Sequence, residues 1–240
     1  MFPFESRIKV PSTGASKPPT KFVAKESPDV RFLFLTVQSI TTILIVMARP
    51  REFVIDHALD RAMRVFWKHG YHGTSVADLM KAAGVQKQSL YCAFGNKHSL
   101  FVKSVEFYKN QVLAQVKALV AGADSPIAAI ESVMRFAVKS AKAKNCPEGC
   151  LAANTALELG LRDPEAAVEV KKMFQGFERI LSETIKKGQG KGEITSRFES
   201  GLIAHNLLNT LNGIRVLEKT GPSAKQMNSI VDMALAAIKA

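Results

Sequence analysis

Two short helical periods separated by a single glycine constrain this chain more than any other feature. Val76, Leu79, Met80 and Ala83 recur at helical spacing, and Gly84 stops them. Thr74 and Ser75 stand just ahead, where a loop end and a hydroxyl cap are wanted. After Gly84 the chain needs one tight turn, which glycine's tolerance of positive φ permits, and Val85 plugs the corner. A second short helix then places Leu90 and Phe94 four apart toward a core, with Lys87, Gln88 and Tyr91 on the opposite side. Together these describe a helix-turn-helix running from about Thr74 to Phe94, whose later helix has a polar outer face suited to a DNA major groove. Lysine can donate to guanine O6 or N7, glutamine can pair bidentately with adenine, and tyrosine can hydrogen-bond a phosphate.

A first helix precedes this unit, with Ile55, Leu59, Ala62, Met63 and Phe66 on one face, Trp67 beside them and a stop at Gly70. Charge agrees with the motif. The 240 residues carry a formal +12, and the stretch 47–110 holds 10 basic against 5 acidic residues, the densest positive balance in the chain.

Beyond the motif, helical periods continue to the end. A long helix is expected from Lys97 to about Val120, and another opens at Ser125-Pro126. A short apolar one spans Cys150 to Leu159, and a long one starts at Asp163-Pro164-Glu165 and ends in the glycine-rich Gly188 to Gly192. Two more cover about Phe198 to Glu218 and Ser223 to Lys239. No alternating strand pattern appears after Met47, so the fold class is all-α.

The stretches Ala48 to Phe53 (ARPREF), Ala58 to Met63 (ALDRAM), Phe66 to Ser75 (FWKHGYHGTS), Ala82 to Val85 (AAGV) and Ser89 to Lys97 (SLYCAFGNK) resemble the N-terminal domain of TetR/AcrR-family transcriptional regulators. The resemblance implies DNA contacts from Thr74, Ser75, Lys87, Gln88, Ser89, Tyr91, Cys92 and Lys97, with Tyr91 and Lys97 on phosphates. Many relatives carry Pro, Arg or Gly where this chain has Lys87 and Gln88, so the base sequence read does not carry over. A fainter resemblance, in Gly149 to Asn154, Asp163 to Glu165 and Gly213 to Leu217, implies an effector-binding and dimerisation half.

The expected organisation is therefore an N-terminal helix-turn-helix domain at 47–110 and a helical ligand-binding and dimerisation domain at 111–240. By analogy the last two helices pair with their copies in a homodimer that meets a near-palindromic double-stranded DNA operator. Met134, Phe136, Phe174 and Phe177 are candidate pocket walls for a small-molecule effector, with Asn154, His205 and Asn206 as candidate polar contacts. The expected function is a ligand-responsive repressor, with an activator as the alternative. Cys146 and Cys150, near Lys142 and Lys144, open a third reading as a thiol-based redox sensor, although without CxxC or an adjacent His they fall short of a metal set.

An enzyme is not expected, because phosphate loop, dinucleotide glycine pattern, nucleophile elbow and zinc-protease helix are all missing from the sequence. No cofactor or metal is called for; His57, His69, His72 and His98 match no metal spacing. Three cysteines do not make a disulfide framework, and a reducing cytoplasm is the expected setting.

Residues 1–46 look foreign to the rest. Met1 to Arg31 is rich in Pro, Ser, Thr and Lys without a period, which reads as disorder. Phe32 to Val46 gives 15 uncharged residues, short of the roughly 20 that span a bilayer. Either translation begins at Met47 and the segment is an over-extended reading frame, or it is a genuine tail or tether. Arg49 and Arg51 then form a basic arm over the DNA, or a merely flexible basic end.

Overall fold

The protein's structure, a computed structural model, describes residues 55–141, 147 and 149–240. The expectations for residues 1–46, for Arg49 and Arg51 and for Cys146 lie outside those residues. Helix α1 occupies 55–69; of the expected stripe it buries Ala62, Met63, Phe66 and Trp67, half-buries Leu59 and leaves Ile55 exposed, and it buries Ala58 besides. The Gly70 amide closes it by donating to Phe66 O. Helix α2, Val76–Ala83, begins on Ser75, whose Oγ accepts the Asp78 N–H while the Asp78 carboxylate accepts the Ser75 N–H, a reciprocal cap. Gly84, at φ 70°, ends α2 in the left-handed conformation that the tight turn demands.

Helix α3, Lys87–Phe94, follows at once. Helix α4, Lys97–Ala121, is capped by Asn96 and runs for 25 residues, about 37 Å at the usual rise. Helix α5, Pro126–Ala141, starts on the expected proline. The short α6, Leu151–Glu158, leads through a 3-10 turn at Gly160–Arg162 into α7, Pro164–Gly190. Asp163 caps α7 by accepting the Ala166 N–H, and the proline at its first turn has no amide to leave unpaired. Helix α8, Ser200–Leu217, a second 3-10 turn and α9, Ala224–Ala236, complete the order. The sequence carried the last helix to Lys239. Instead Lys239 forms an isolated antiparallel bridge with Ile194, and Thr195 N–H donates to Ile238 O, which ties the chain's end to the loop after α7.

The fold is all-α, and its apolar interior has two centres. One gathers Phe66, Leu79, Leu90, Phe94, Phe101 and Tyr108 with Leu151, Ala166, Val170 and Met173, so α6 and the start of α7 are packed into the same core as the helix-turn-helix. The other joins α4, α5 and α7 to α8 and α9 around Met134, Leu181, Ile185, Leu207 and Val231. Helix α4 passes through both, and its contact with α7 includes a buried ion pair between Lys109 and Glu169. Among the described residues no helix is long and apolar enough to cross a membrane.

Candidate nucleic-acid interface

Helix α3 has eight residues and no side-chain cap at Gln86, so little but its packing holds it in place. Leu90 and Phe94, 1 % and 5 % exposed, supply that packing against Leu79 and α4. Burying those two positions turns Lys87, Gln88, Ser89 and Cys92 outward, all exposed, with Tyr91 half-buried at the edge. The Lys87 ammonium stands 5.7 Å from the Tyr91 ring centre, within cation–π range, so two of the expected contacts lean on one another in the free protein. This face offers an ammonium, an amide, two hydroxyls and a thiol with no carboxylate among them.

At the start of α2 the picture is more mixed. Ser75 is exposed, but its hydroxyl donates to Asp78 Oδ2 at 2.6 Å while accepting the Asp78 amide. Hydrogen bonds from the Ser75 hydroxyl and amide hold the Asp78 carboxyl below its ordinary value. The expected contact from Thr74 needs correction. Its side chain is buried, its Oγ1–H donates to Gly70 O at 2.6 Å and its amide donates to Tyr71 O, so the hydroxyl locks the turn from within.

Lys97 opens α4, as expected, with its ammonium 4.5 Å above the Tyr71 ring. Tyr71 itself packs on Phe101 at 4.9 Å. Burial, and then the charge of Asp163, push its phenol upward from the ordinary tyrosine value, so the ring beneath Lys97 is neutral.

The expected effector residues do not converge as a set. Met134 and Phe177 are buried in the second core and Phe174 is half-buried between the two. Phe136 and Asn154 are half-buried. His205 and Asn206 lie on the outward face of α8: the His205 side chain is 65 % exposed and meets Glu178 at 2.7 Å, and Asn206 is exposed, so neither is an interior polar contact. A cavity of about 520 Å³ lies elsewhere, lined by Tyr71, His72, His98, Arg162, Asp163 and Glu165, where α4 meets the α6–α7 corner. Cys150 is buried, with the Tyr108 hydroxyl 3.5 Å from its sulfur, a poor position for a thiol that must meet solution oxidants. Among the described residues no group of three or more His, Cys, Asp or Glu could hold a metal.

Sequence reasoning missed the contacts that seat this unit. Glu158 binds the backbone of the α1–α2 turn, and His98 binds Asp163 at 2.9 Å. The Ser75–Asp78 cap had a local signal in its three-residue spacing, whereas Glu158 had none.

With that geometry in view, comparisons with known proteins are informative. The family model for bacterial regulatory proteins of the tetR family matches residues 58–103, and that for tetracyclin repressor-like C-terminal domains matches residues 126–232. The transcriptional repressor ComR of Escherichia coli is 30% identical over 188 residues, which cover 78% of this chain and 90% of that protein. The solved structure of the TetR family regulator CifR, a cysteine mutant in complex with 26-bp double-strand operator DNA, superposes with a TM-score of 0.70 at 27% identity, covering 76% of this chain and 95% of that one. A TetR regulator from Chloroflexus aurantiacus shares the fold at a TM-score of 0.73 and 19% identity, over 80% of this chain and 98% of its own.

Proposed function

The chain belongs to the TetR family of bacterial DNA-binding transcription regulators, and on that premise we infer that it is a repressor that grips a near-palindromic operator as a homodimer and releases it when a small molecule binds its C-terminal half. The observation that carries the reading is the division of α3 into a buried Leu90–Phe94 side and an exposed side of Lys87, Gln88, Ser89 and Cys92. Phosphates are met by Lys97 and by the edge of Tyr91, and base edges by Lys87 and Gln88. The repressor sense is supported by relatives such as ComR, and the operator contact by the operator complex of CifR.

A twofold partner is supported by the outer face of α8. Leu202, Asn206, Asn209, Gly213 and Val216 succeed one another at helical spacing and are all exposed, and Met233 on α9 is 77 % exposed. Two chains joined along such a face present two α3 helices one helical turn apart, which is why the operator is expected to be near-palindromic. An effector bound in the C-terminal half would oppose operator binding through linkage; Met134, Phe174 and Phe177 are the apolar side chains proposed for it, and they are packed in or against the second core in this structure. Selection of bound sequences from random duplex DNA tests the whole reading. A two-half-site consensus with a fixed spacing is the expected result; recovery of an asymmetric site bound by one chain, or of no sequence at all, defeats it.

A further inference from the structure

At the corner where α6 gives way to α7, the C-terminal half of the chain reaches into the turn between α1 and α2. Glu158 is the last residue of α6. Its Oε2 accepts the Tyr71 N–H at 2.9 Å and its Oε1 accepts the His72 N–H at 2.7 Å, so both oxygens are committed to consecutive amides remote in sequence. Consecutive amides turned toward one carboxylate form a concave anion seat, and such charge-assisted bonds are stronger than neutral ones. Gly70 makes the approach possible. It lies at φ +73°, and a Cβ there would stand 2.5 Å from Glu158 Oε2.

The Tyr71 side chain carries the connection onward. Its ring supports the Lys97 ammonium at 4.5 Å and meets His98 edge-on at 6.1 Å. His98 in turn is held by Asp163, the cap of α7. The far end of α6 is tied equally well. The Gly149 carbonyl, just ahead of it, accepts from the buried Arg215 guanidinium of α8, which also donates to Ala137 O at 3.3 Å and Ser140 Oγ at 3.2 Å on α5. Helix α6 is therefore a short rod of eight residues, fixed to α5 and α8 at one end and to the α1–α2 turn at the other.

We propose that Glu158 is the positioning residue through which the C-terminal half sets the phosphate-facing edge of the helix-turn-helix: its carboxylate fixes Tyr71, and the Tyr71 ring fixes the Lys97 ammonium. The inference rests on the DNA-binding reading above. Displacement of α6 withdraws the carboxylate from the two amides and leaves Lys97 without its platform.

The test uses the full chain and the duplex recovered by selection, with Glu158→Ala, Glu158→Gln and Lys97→Ala singly and combined. Glu158→Ala weakens binding to operator and to unrelated duplex alike by roughly tenfold, the scale of energetic coupling between packed sites. Added to Lys97→Ala it costs little more, because both changes abolish the same phosphate interaction. Glu158→Gln, which keeps one acceptor oxygen, loses less, and hydrogen exchange at the Tyr71 and His72 amides rises in both Glu158 variants. Wild-type affinity in a Glu158 variant whose Tyr71 and His72 amides exchange faster overturns the proposal, as does a loss that multiplies in full with that of Lys97→Ala. Should Glu158→Ala fail to fold, as the emission of the buried Trp67 reports, the same comparison in Glu158→Gln decides. A wild-type chain that binds no duplex defeats the DNA-binding reading itself and this proposal with it.

Discussion

Leu90→Ala separates the two faces of α3 most sharply. Leu90 is 1 % exposed and lies in the same core as Leu79, Phe94 and Phe101. Transferring a fully buried leucine side chain to water costs about 2–3 kcal/mol, and the cavity left behind brings Leu→Ala losses to about 3–4 kcal/mol in a site that cannot collapse. Collapse is restricted by the fully buried Leu79, Leu100 and Phe101 that share this core, and α3, short and uncapped by a side chain, has Phe94 as its other buried anchor. Trp67, the chain's single tryptophan, is buried in that core with its ring 4.8 Å from that of Tyr108, so its fluorescence in a denaturant titration reads the loss directly. Gln88→Ala, on the exposed side, serves as the control and is expected within about 0.5 kcal/mol of wild type. A Leu90→Ala loss below about 1 kcal/mol, or a Gln88→Ala loss as large as that of Leu90→Ala, refutes the orientation of α3 on which the interface depends.

Other consequences follow from the same geometry. Lys97→Ala is expected to weaken all duplexes to a similar degree and to lower the slope of log affinity against log salt by about one for each phosphate no longer neutralised, whereas Lys87→Ala changes which base is preferred at one position of each half-site; titrations at several salt concentrations against a panel of single-base variants distinguish them. Acid sensitivity is expected from Glu169. Burial raises its carboxyl, but hydrogen bonds from Lys109 and Lys172 outweigh that and hold it below the ordinary value. A carboxyl lowered in the folded state contributes fully above the unfolded value, about 4.3, and its contribution is lost as pH falls through the folded value, so Glu169→Gln flattens the stability profile in that acid window, measured by denaturation between about pH 3 and 6.

How far the molecule could be read from its sequence depended on the range of each interaction. The α2–Gly84–α3 corner, the Asp163-Pro164 start of α7 and the Leu90–Phe94 anchor are set by residues within one or two turns of one another, and their spacing announces them. Register was legible but easily misread. On α8 the buried set is Ile203, Ala204, Leu207, Leu208, Leu211, Ile214 and Arg215, and His205 and Asn206 fall in its gap, which places them outside. Thr74 sits where a cap residue belongs, yet Ser75 caps the helix and Thr74 fastens the turn to Gly70; a pair of neighbouring hydroxyls does not reveal which turns inward. The Glu158 seat, the His98–Asp163 contact and the Lys109–Glu169 pair join residues that no periodicity relates. A helical pattern tells which side chains share a face but not which helix that face will meet.

The exposed face of α3 carries its own probe in Cys92, whereas Cys150 is buried. Alkylation of Cys92 by a maleimide, followed by peptide mass, measures whether that face meets DNA. The account predicts rapid labelling in the free protein and strong protection by the selected operator but not by an equal concentration of scrambled duplex. Labelling of Cys92 at the same rate with operator bound as without it would contradict the claim that this face of α3 reads DNA.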